Sequence, residues 1–170
     1  MTLAEAIMRA YGHQQYFNTF ARRHRRLRVL EINDAGQLGQ FLTAMPHRVL
    51  VHYPDVDMTK LPFEEASFDM VIHSDTLEHV PDPLAGLRET RRVLRRNGFA
   101  CFTVPLVVGR LTRTTEGRPP TYHGREEAQE YLVHTEFGAD AWTSPIAAGF
   151  TEVRLVSLDF PASVAMAAQK

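Results

Sequence analysis

Val29-Leu30-Glu31-Ile32 is a short run without polar alternation, the pattern of a β-strand covered on both faces. Three comparable runs follow, Val49 to Tyr53, Phe68 to His73 and Phe99 to Val104, and helical segments lie between them. Gln37 to Met45 carries Leu38, Phe41, Leu42 and Met45 at helical spacing and is stopped by Pro46. Pro83 to Leu94 carries Leu84, Leu87, Arg91 and Leu94 behind a first-turn proline, with Asn97-Gly98 as its stop and Arg95 and Arg96 suited to its negative pole. Strands that alternate with helices in this way build a parallel sheet wound on both faces.

The flanks complete the picture. Two helical segments open the chain, Leu3 to Arg9 and Gln14 to His24, with Gly12 as the break. Leu106 to Arg125 contains Gly109, Gly117, Pro119 and Pro120 and reads as a long loop or lid. Gly138 to Ala148 reads as a helix ended by Gly149. Val153 to Leu158, a Pro161 turn and Ser163 to Ala168 form two strands too closely connected to be parallel. The expected fold is therefore α/β, a doubly wound Rossmann-like, mostly parallel sheet with a C-terminal antiparallel hairpin. It forms one domain over 1–170, with N-terminal helices in 1–26 and an insertion or lid in 106–136.

A chain of 170 residues buries one sizeable core, and no stretch separates two. Its 44% hydrophobic and 23% charged residues are those of a soluble globular protein. The apolar runs fall short of a membrane span and Glu5 and Arg9 interrupt any leader, so a cytoplasmic location without membrane is expected. A net charge of -1 argues against a polyanion binder, and the five arginines of ARRHRRLR, Ala21 to Arg28, read as a solvated helix end rather than a nucleic-acid site. Cys101, the single cysteine, reads as a buried, inert thiol.

The segment Asp57 to Pro83, DMTKLPFEEASFDMVIHSDTLEHVPDP, resembles the core of class I S-adenosylmethionine-dependent methyltransferases, in the small-molecule branch with LPF, SFD-x-V and LEHV-x-DP runs. The resemblance continues through Arg88 to Gly98, RETRRVLRRNG, and the closing SVAMAAQK is similar to that family's hairpin. It implies S-adenosylmethionine as cofactor, methyl transfer to a small-molecule acceptor, and a cofactor lying across the carboxyl ends of the first strands. Position by position, Glu31 matches the acid that orients the methionine end. Asp57 matches the acid near the adenine amino group, with Met58 beside it. Ser74 and Asp75 match the positions flanking the transferable methyl. A homodimer is the assembly considered for such a chain. A second reading is a degenerate methyltransferase-fold protein with a binding or interaction role and no catalysis.

Two departures from the family pattern stand out. The loop after the first strand holds Asn33, Ala35 and Gln37 where glycines normally permit positive φ and close approach. Asn33 can keep such a turn and Gly36 can supply the approach. Between Val51 and Asp57 only about five residues remain, whereas a parallel crossover needs a dozen or more. The third, edge strand is accordingly expected to be missing or rudimentary. The usual ribose-binding acid gives way to His52 or Tyr53, with Asp55 as the nearest carboxylate.

Methyl transfer from a sulfonium is an in-line displacement, so the protein mainly aligns the acceptor in a dry pocket. A base is required where the acceptor keeps its proton, and His79 and His134 are the catalytic candidates, with Tyr122, His123 and Glu136 nearby. Phe63 and Phe68 read as core residues. Asp75, Glu78 and His79 have the i, i+3, i+4 spacing of one helical face, and the resemblance to quinone-biosynthesis O-methyltransferases permits Mg²⁺ there. The reading adopted assigns no metal.

Overall fold

The structure is a computed structural model that describes residues 1–123, 131–160 and 163–170. In chain order its helices are α1 (Thr2–Ala10), α2 (Phe17–Arg23), α3 (Gly39–Leu42), α4 (Pro83–Val93) and α5 (Thr143–Ala147). Its strands are β1 (Val29–Ile32), β2 (Arg48–Val51), β3 (Phe68–Ser74), β4 (Leu94–Thr103), β5 (Leu106–Val107), β6 (Arg113–Thr114), β7 (Thr135–Gly138), β8 (Glu152–Asp159) and β9 (Ser163–Gln169). Six strands form the main sheet in the order β2-β1-β3-β4-β9-β8. β1 runs parallel to β2 and β3, β3 runs parallel to β4, and β9 is antiparallel to both β4 and β8. The expected Rossmann-like sheet and closing hairpin are thus present. Among the described residues β2 is the sheet's edge, as the short Val51 to Asp57 connection requires.

The pleat divides the core. Leu30, Ile32, Val71, Ala100 and Phe102 face α4, which buries Leu87 and Val93 against them. Val29, Met70, Ile72, Phe99 and Cys101 face α1 and α2, where Leu3, Ile7, Phe17 and Phe20 are buried. Burial pushes the Cys101 thiol pKa up, so it is the inert packing residue that its surroundings suggest. Phe63 meets Phe68 edge to face at 5.0 Å, and both pack in or against the α4-side core.

Several boundaries differ from the sequence pattern. α4 ends at Val93, not Leu94, because Leu94 already pairs with Phe68. Arg95 then binds the Asp69 carboxylate at 3.0 Å instead of serving the helix pole. Leu106 to Arg125 is not wholly irregular: β5, β7 and β6 form a small sheet in that order. The expected helix from Gly138 to Ala148 shrinks to α5, because β7 claims Gly138. A side chain there would collide with the backbone of Arg110 to Thr112, so only glycine permits this crossing. The Pro161 turn lies outside the described residues.

One buried polar group stands out in β3. His73 is fully buried, stacks on Phe102 at 4.7 Å, and has no hydrogen-bond partner on either ring nitrogen among the described residues. Burial alone pushes its pKa down to about 3 from 6.5. A base with a depressed folded-state pKa contributes its full stability above the unfolded value. That contribution is lost as the pH falls from 6.5 towards 3, because the unfolded chain takes up the proton first. His73→Phe should therefore flatten the acid side of the stability curve. Between pH 7.5 and pH 5 the wild type should lose about 2 kcal/mol more than the variant in urea unfolding. Equal losses in the two proteins would show that His73 is not held neutral.

Candidate functional site

Two clefts open at the carboxyl ends of the parallel strands. The larger, about 1070 Å³, lies between the N-terminal segment and the loop after β1, and its apolar wall includes Leu3, Met8, Phe17, Phe41, Val104 and Leu106. The smaller, about 630 Å³, is lined by Asn33, Tyr53, Asp57, Met58, His79 and His134 among others. Ser74 and Asp75, at the end of β3, line both. Asp75 sits at φ 46°, and its carboxylate receives hydrogen bonds from Thr103 Oγ1 at 3.2 Å and Ser74 Oγ at 3.4 Å. These bonds tie the ends of β3 and β4 together where the two clefts meet.

The loop after β1 keeps the conformation that glycines would give it. Asn33 lies at φ 61°, Asp34 at 57° and Gly36 at 60°. Asn33 does more than tolerate the turn: its Oδ1 accepts the Tyr53 N–H at 2.8 Å, strapping the β1 loop to the β2 loop. A glycine could not form this strap. Gly36 faces open space, with no protein atom within 4 Å of where a Cβ would stand, so the backbone is bare on the side of the larger cleft. This opening, together with the polar lining of the smaller cleft, fits a ligand that lies across the strand ends.

Glu31 is placed differently from the other candidates. It lines neither cleft, because its side chain is fully buried and both oxygens are engaged. Oε1 accepts the Ala35 N–H at 2.8 Å and Oε2 pairs with Arg48 Nε at 2.5 Å. It anchors the loop instead of facing a ligand. Gly39 packs against this cluster, and a Cβ there would come within 2.8 Å of the Asp34 carboxylate. Asp55 is likewise outside both clefts, while Tyr53 and Val56 on either side of it line the smaller one.

Asp57 lines the smaller cleft and also caps the short turn Met58–Lys60, its Oδ1 accepting from Thr59 N at 2.7 Å and Thr59 Oγ1 at 2.8 Å. Met58 is buried against Gly86 of α4. The loop that presents them is pinned from α4 by two residues whose role the motif alone did not reveal. Arg92 donates to the carbonyls of Phe63 at 2.8 Å and Leu61 at 3.0 Å and to Glu89, while Glu89 accepts the Leu61 N–H at 3.0 Å. The hydrogen bonds from Arg92 hold the Glu89 carboxyl below its usual range. Their sequence signal is the i, i+3 spacing of Glu89 and Arg92.

The imidazoles are placed unequally. His79 and His134 both line the smaller cleft. The Nδ1 of His79 is 3.0 Å from the Leu132 carbonyl oxygen, which can only accept, so Nδ1 carries the proton and Nε2 turns towards Glu78. Burial holds the His79 pKa below its usual value. The trio Asp75, Glu78, His79 is not one constellation: Asp75 is held by Ser74 and Thr103, while Glu78 and His79 gather with His123. Burial, with a smaller contribution from Asp75, pushes the Glu78 carboxyl up to about 8. Glu136 is bound between Arg110 and Arg113 at 2.5 and 2.6 Å and lines neither cleft. Tyr122 forms a backbone bridge with Leu132.

Comparison with known proteins agrees with this architecture. Residues 10–102, more than half of the chain, match the family described as "Methyltransferase domain". The chain belongs to that family, whose cofactor is S-adenosylmethionine. A Mycobacterium tuberculosis protein described as a probable S-adenosylmethionine-dependent methyltransferase is 32% identical over 122 residues, covering 68% of this chain and 40% of that protein. The 2-methyl-6-phytyl-1,4-hydroquinone methyltransferase 2 of Oryza sativa subsp. japonica is 40% identical over 50 residues, covering 29% of this chain and 14% of that protein. The chain thus spans less than half the length of these curated relatives. The crystal structure of an S-adenosylmethionine-dependent methyltransferase from Mesorhizobium loti superposes with a TM-score of 0.52 at 15% identity, over 85% of this chain and 91% of that one, which shows a shared fold.

The Glu31 anchor yields a direct test. Arg48→Met would leave a carboxylate with no access to water and one oxygen unpaired, which should cost about 3–5 kcal/mol of unfolding free energy. Adding Glu31→Gln to that variant should recover a large part of the loss. A loss below about 1 kcal/mol for Arg48→Met, the scale of an exposed pair, would show that the ion pair does not hold the loop.

Proposed function

We propose that this chain binds S-adenosylmethionine across the carboxyl ends of β1 and β3 and directs methyl transfer to a largely apolar small-molecule acceptor. The observation that carries the proposal is the meeting of two clefts at Ser74 and Asp75: one of mixed polar and apolar lining suited to a nucleoside and a more apolar one suited to an acceptor. The apolar wall is in keeping with the phytyl-bearing hydroquinone named for the Oryza relative. The cytoplasmic setting and the homodimer of the sequence reading stand as proposals beside it.

The cofactor, when bound, supplies an electrophilic methyl group on a sulfonium. The chain's own residues supply placement. Asp57 presents a carboxylate to the adenine end, and Met58 packs beneath it. Asn33, through its strap to Tyr53, fixes the wall between the first two strand ends. Gly36 leaves room along the backbone for the methionine end. Ser74 and Asp75, fixed by Thr103, set the line between the clefts along which the acceptor atom must approach. Both histidines stand on the smaller cleft, and the ring of His79 is committed to Leu132 and turned towards Glu78, so His134 is the one we assign to taking the proton of an acceptor that reaches past Ser74 and Asp75 into that cleft.

Thermal melting with S-adenosylmethionine, S-adenosylhomocysteine and NAD tests the cofactor assignment. Either sulfur ligand at a hundred times its dissociation constant should stabilise the protein by about 2.7 kcal/mol, with no response to NAD. A shift with NAD alone, or with none of the three, would contradict it. Asp57→Ala should weaken S-adenosylhomocysteine about tenfold, or about 1.4 kcal/mol, in calorimetry. Thr59→Val, which disturbs the cap but keeps the carboxylate, should change affinity by no more than about twofold. Equal effects from both would assign Asp57 to loop structure alone.

A further inference from the structure

We propose that Glu78, His79 and His123 form a binding site for a divalent transition metal of the zinc type. The three side chains come from separate places: Glu78 and His79 from the turn after β3, and His123 from the segment after β6. One donor atom from each lies within 4.8 Å of the other two. The inference does not depend on the proposed methyl transfer.

The central observation is the Glu78 carboxylate. The residue is 1% exposed, and neither oxygen has a hydrogen-bond partner among the described residues. A buried carboxylate without a partner is costly, and native structures seldom leave one without a function or an ion. Its nearest polar neighbours are His79 Nε2 at 3.7 Å and His123 Nδ1 at 3.6 Å. Both distances are too long for hydrogen bonds. They are close to the spacing of donors around one ion: ligands at 2.0–2.1 Å in tetrahedral array stand about 3.4 Å apart. A contraction of a few tenths of an ångström would bring both glutamate–imidazole distances to that spacing, and the two imidazole donors, within 4.8 Å of each other, would close on the ion by turning their rings.

The surroundings of His79 match what a metal-bound histidine requires. His79 gives its Nδ1–H to the Leu132 carbonyl at 3.0 Å, which fixes the tautomer and leaves the Nε2 lone pair directed at Glu78. His123 is held by the bond from its own N–H to the Tyr131 carbonyl at 3.0 Å, and Val133 N donates to Thr121 at 2.9 Å beside it. The His134 N–H donates to the Glu78 carbonyl at 2.8 Å, tying the far side of the same segment to the turn. The two imidazole rings stand edge to face, with centroids 5.4 Å apart.

The donor set decides the metal class. Two imidazoles and one carboxylate suit Zn²⁺ and its neighbours, whereas Mg²⁺ and Ca²⁺ prefer all-oxygen shells. The site therefore differs from the Asp75, Glu78, His79 trio in both a ligand and its preferred ion. Its physical consequence is a staple: the metal would join the turn at the end of the main sheet to the segment that leads into β7, beside the smaller cleft that His79 lines.

The test uses the whole chain after chelator treatment, titrated with Zn²⁺ in calorimetry and with Co²⁺ followed by its visible d–d absorption. One equivalent should bind and raise the melting temperature. Glu78→Gln and His123→Ala should each weaken binding by tenfold or more, the scale of losing one ligand, and Asp75→Asn should leave it within about twofold. The His123 side chain is 46% exposed, so its alanine variant should fold as the wild type does and decides the matter if Glu78→Gln does not. No saturable binding to the wild type, unchanged binding in His123→Ala, or a loss in Asp75→Asn as large as in His123→Ala would each overturn the assignment.

Discussion

Glu31 is a carboxylate removed from water at the centre of a strand, and the site is arranged around satisfying it. One oxygen takes the Ala35 N–H and the other takes Arg48, so a single side chain joins β1, the loop that follows it and β2. Neither bond is optional, because an unpaired buried charge costs several kcal/mol. With β1 fixed to β2, the Asn33 strap to Tyr53 follows, and the strand ends acquire a defined wall.

The same economy appears on the other side of β3. Arg92 and Glu89 reach from α4 to the loop that carries Asp57 and Met58, and Thr103 reaches from β4 to Asp75. Each fastening joins a strand-end loop to a neighbouring rigid element. Sites held on rigid elements are better placed for alignment than sites on unsupported loops, and these bonds give the loops that support. The junction of the clefts at Ser74 and Asp75 is therefore a product of sheet register: β3 and β4 pair through to Ser74 and Thr103, and both clefts open where that pairing ends.

The sheet was legible in the sequence because its inner strands β1, β3 and β4 are buried on both faces along apolar runs, and because a five-residue connection cannot cross over. The positive φ of Asn33 was legible too, since few other residues tolerate it. The occupation of Glu31 was not, because Arg48 is distant in sequence and an arginine at a strand start carries no signal of where its fork will turn. The small β5-β7-β6 sheet escaped notice because two-residue strands leave no periodicity. The gathering of His123 with Glu78 and His79 escaped notice because the histidine lies 45 positions from the glutamate, and only the fold brings them together.

A crystal structure of the protein with S-adenosylhomocysteine tests the central claim most directly. The account predicts the adenosine in the smaller cleft with Asp57 and Met58 against its base, the sulfur beside Ser74 and Asp75, and the amino acid end along Gly36, with the Glu31–Arg48 pair undisturbed. Ligand density confined to some other surface, or a Glu31 side chain swung out of its pair to meet the ligand, would contradict it.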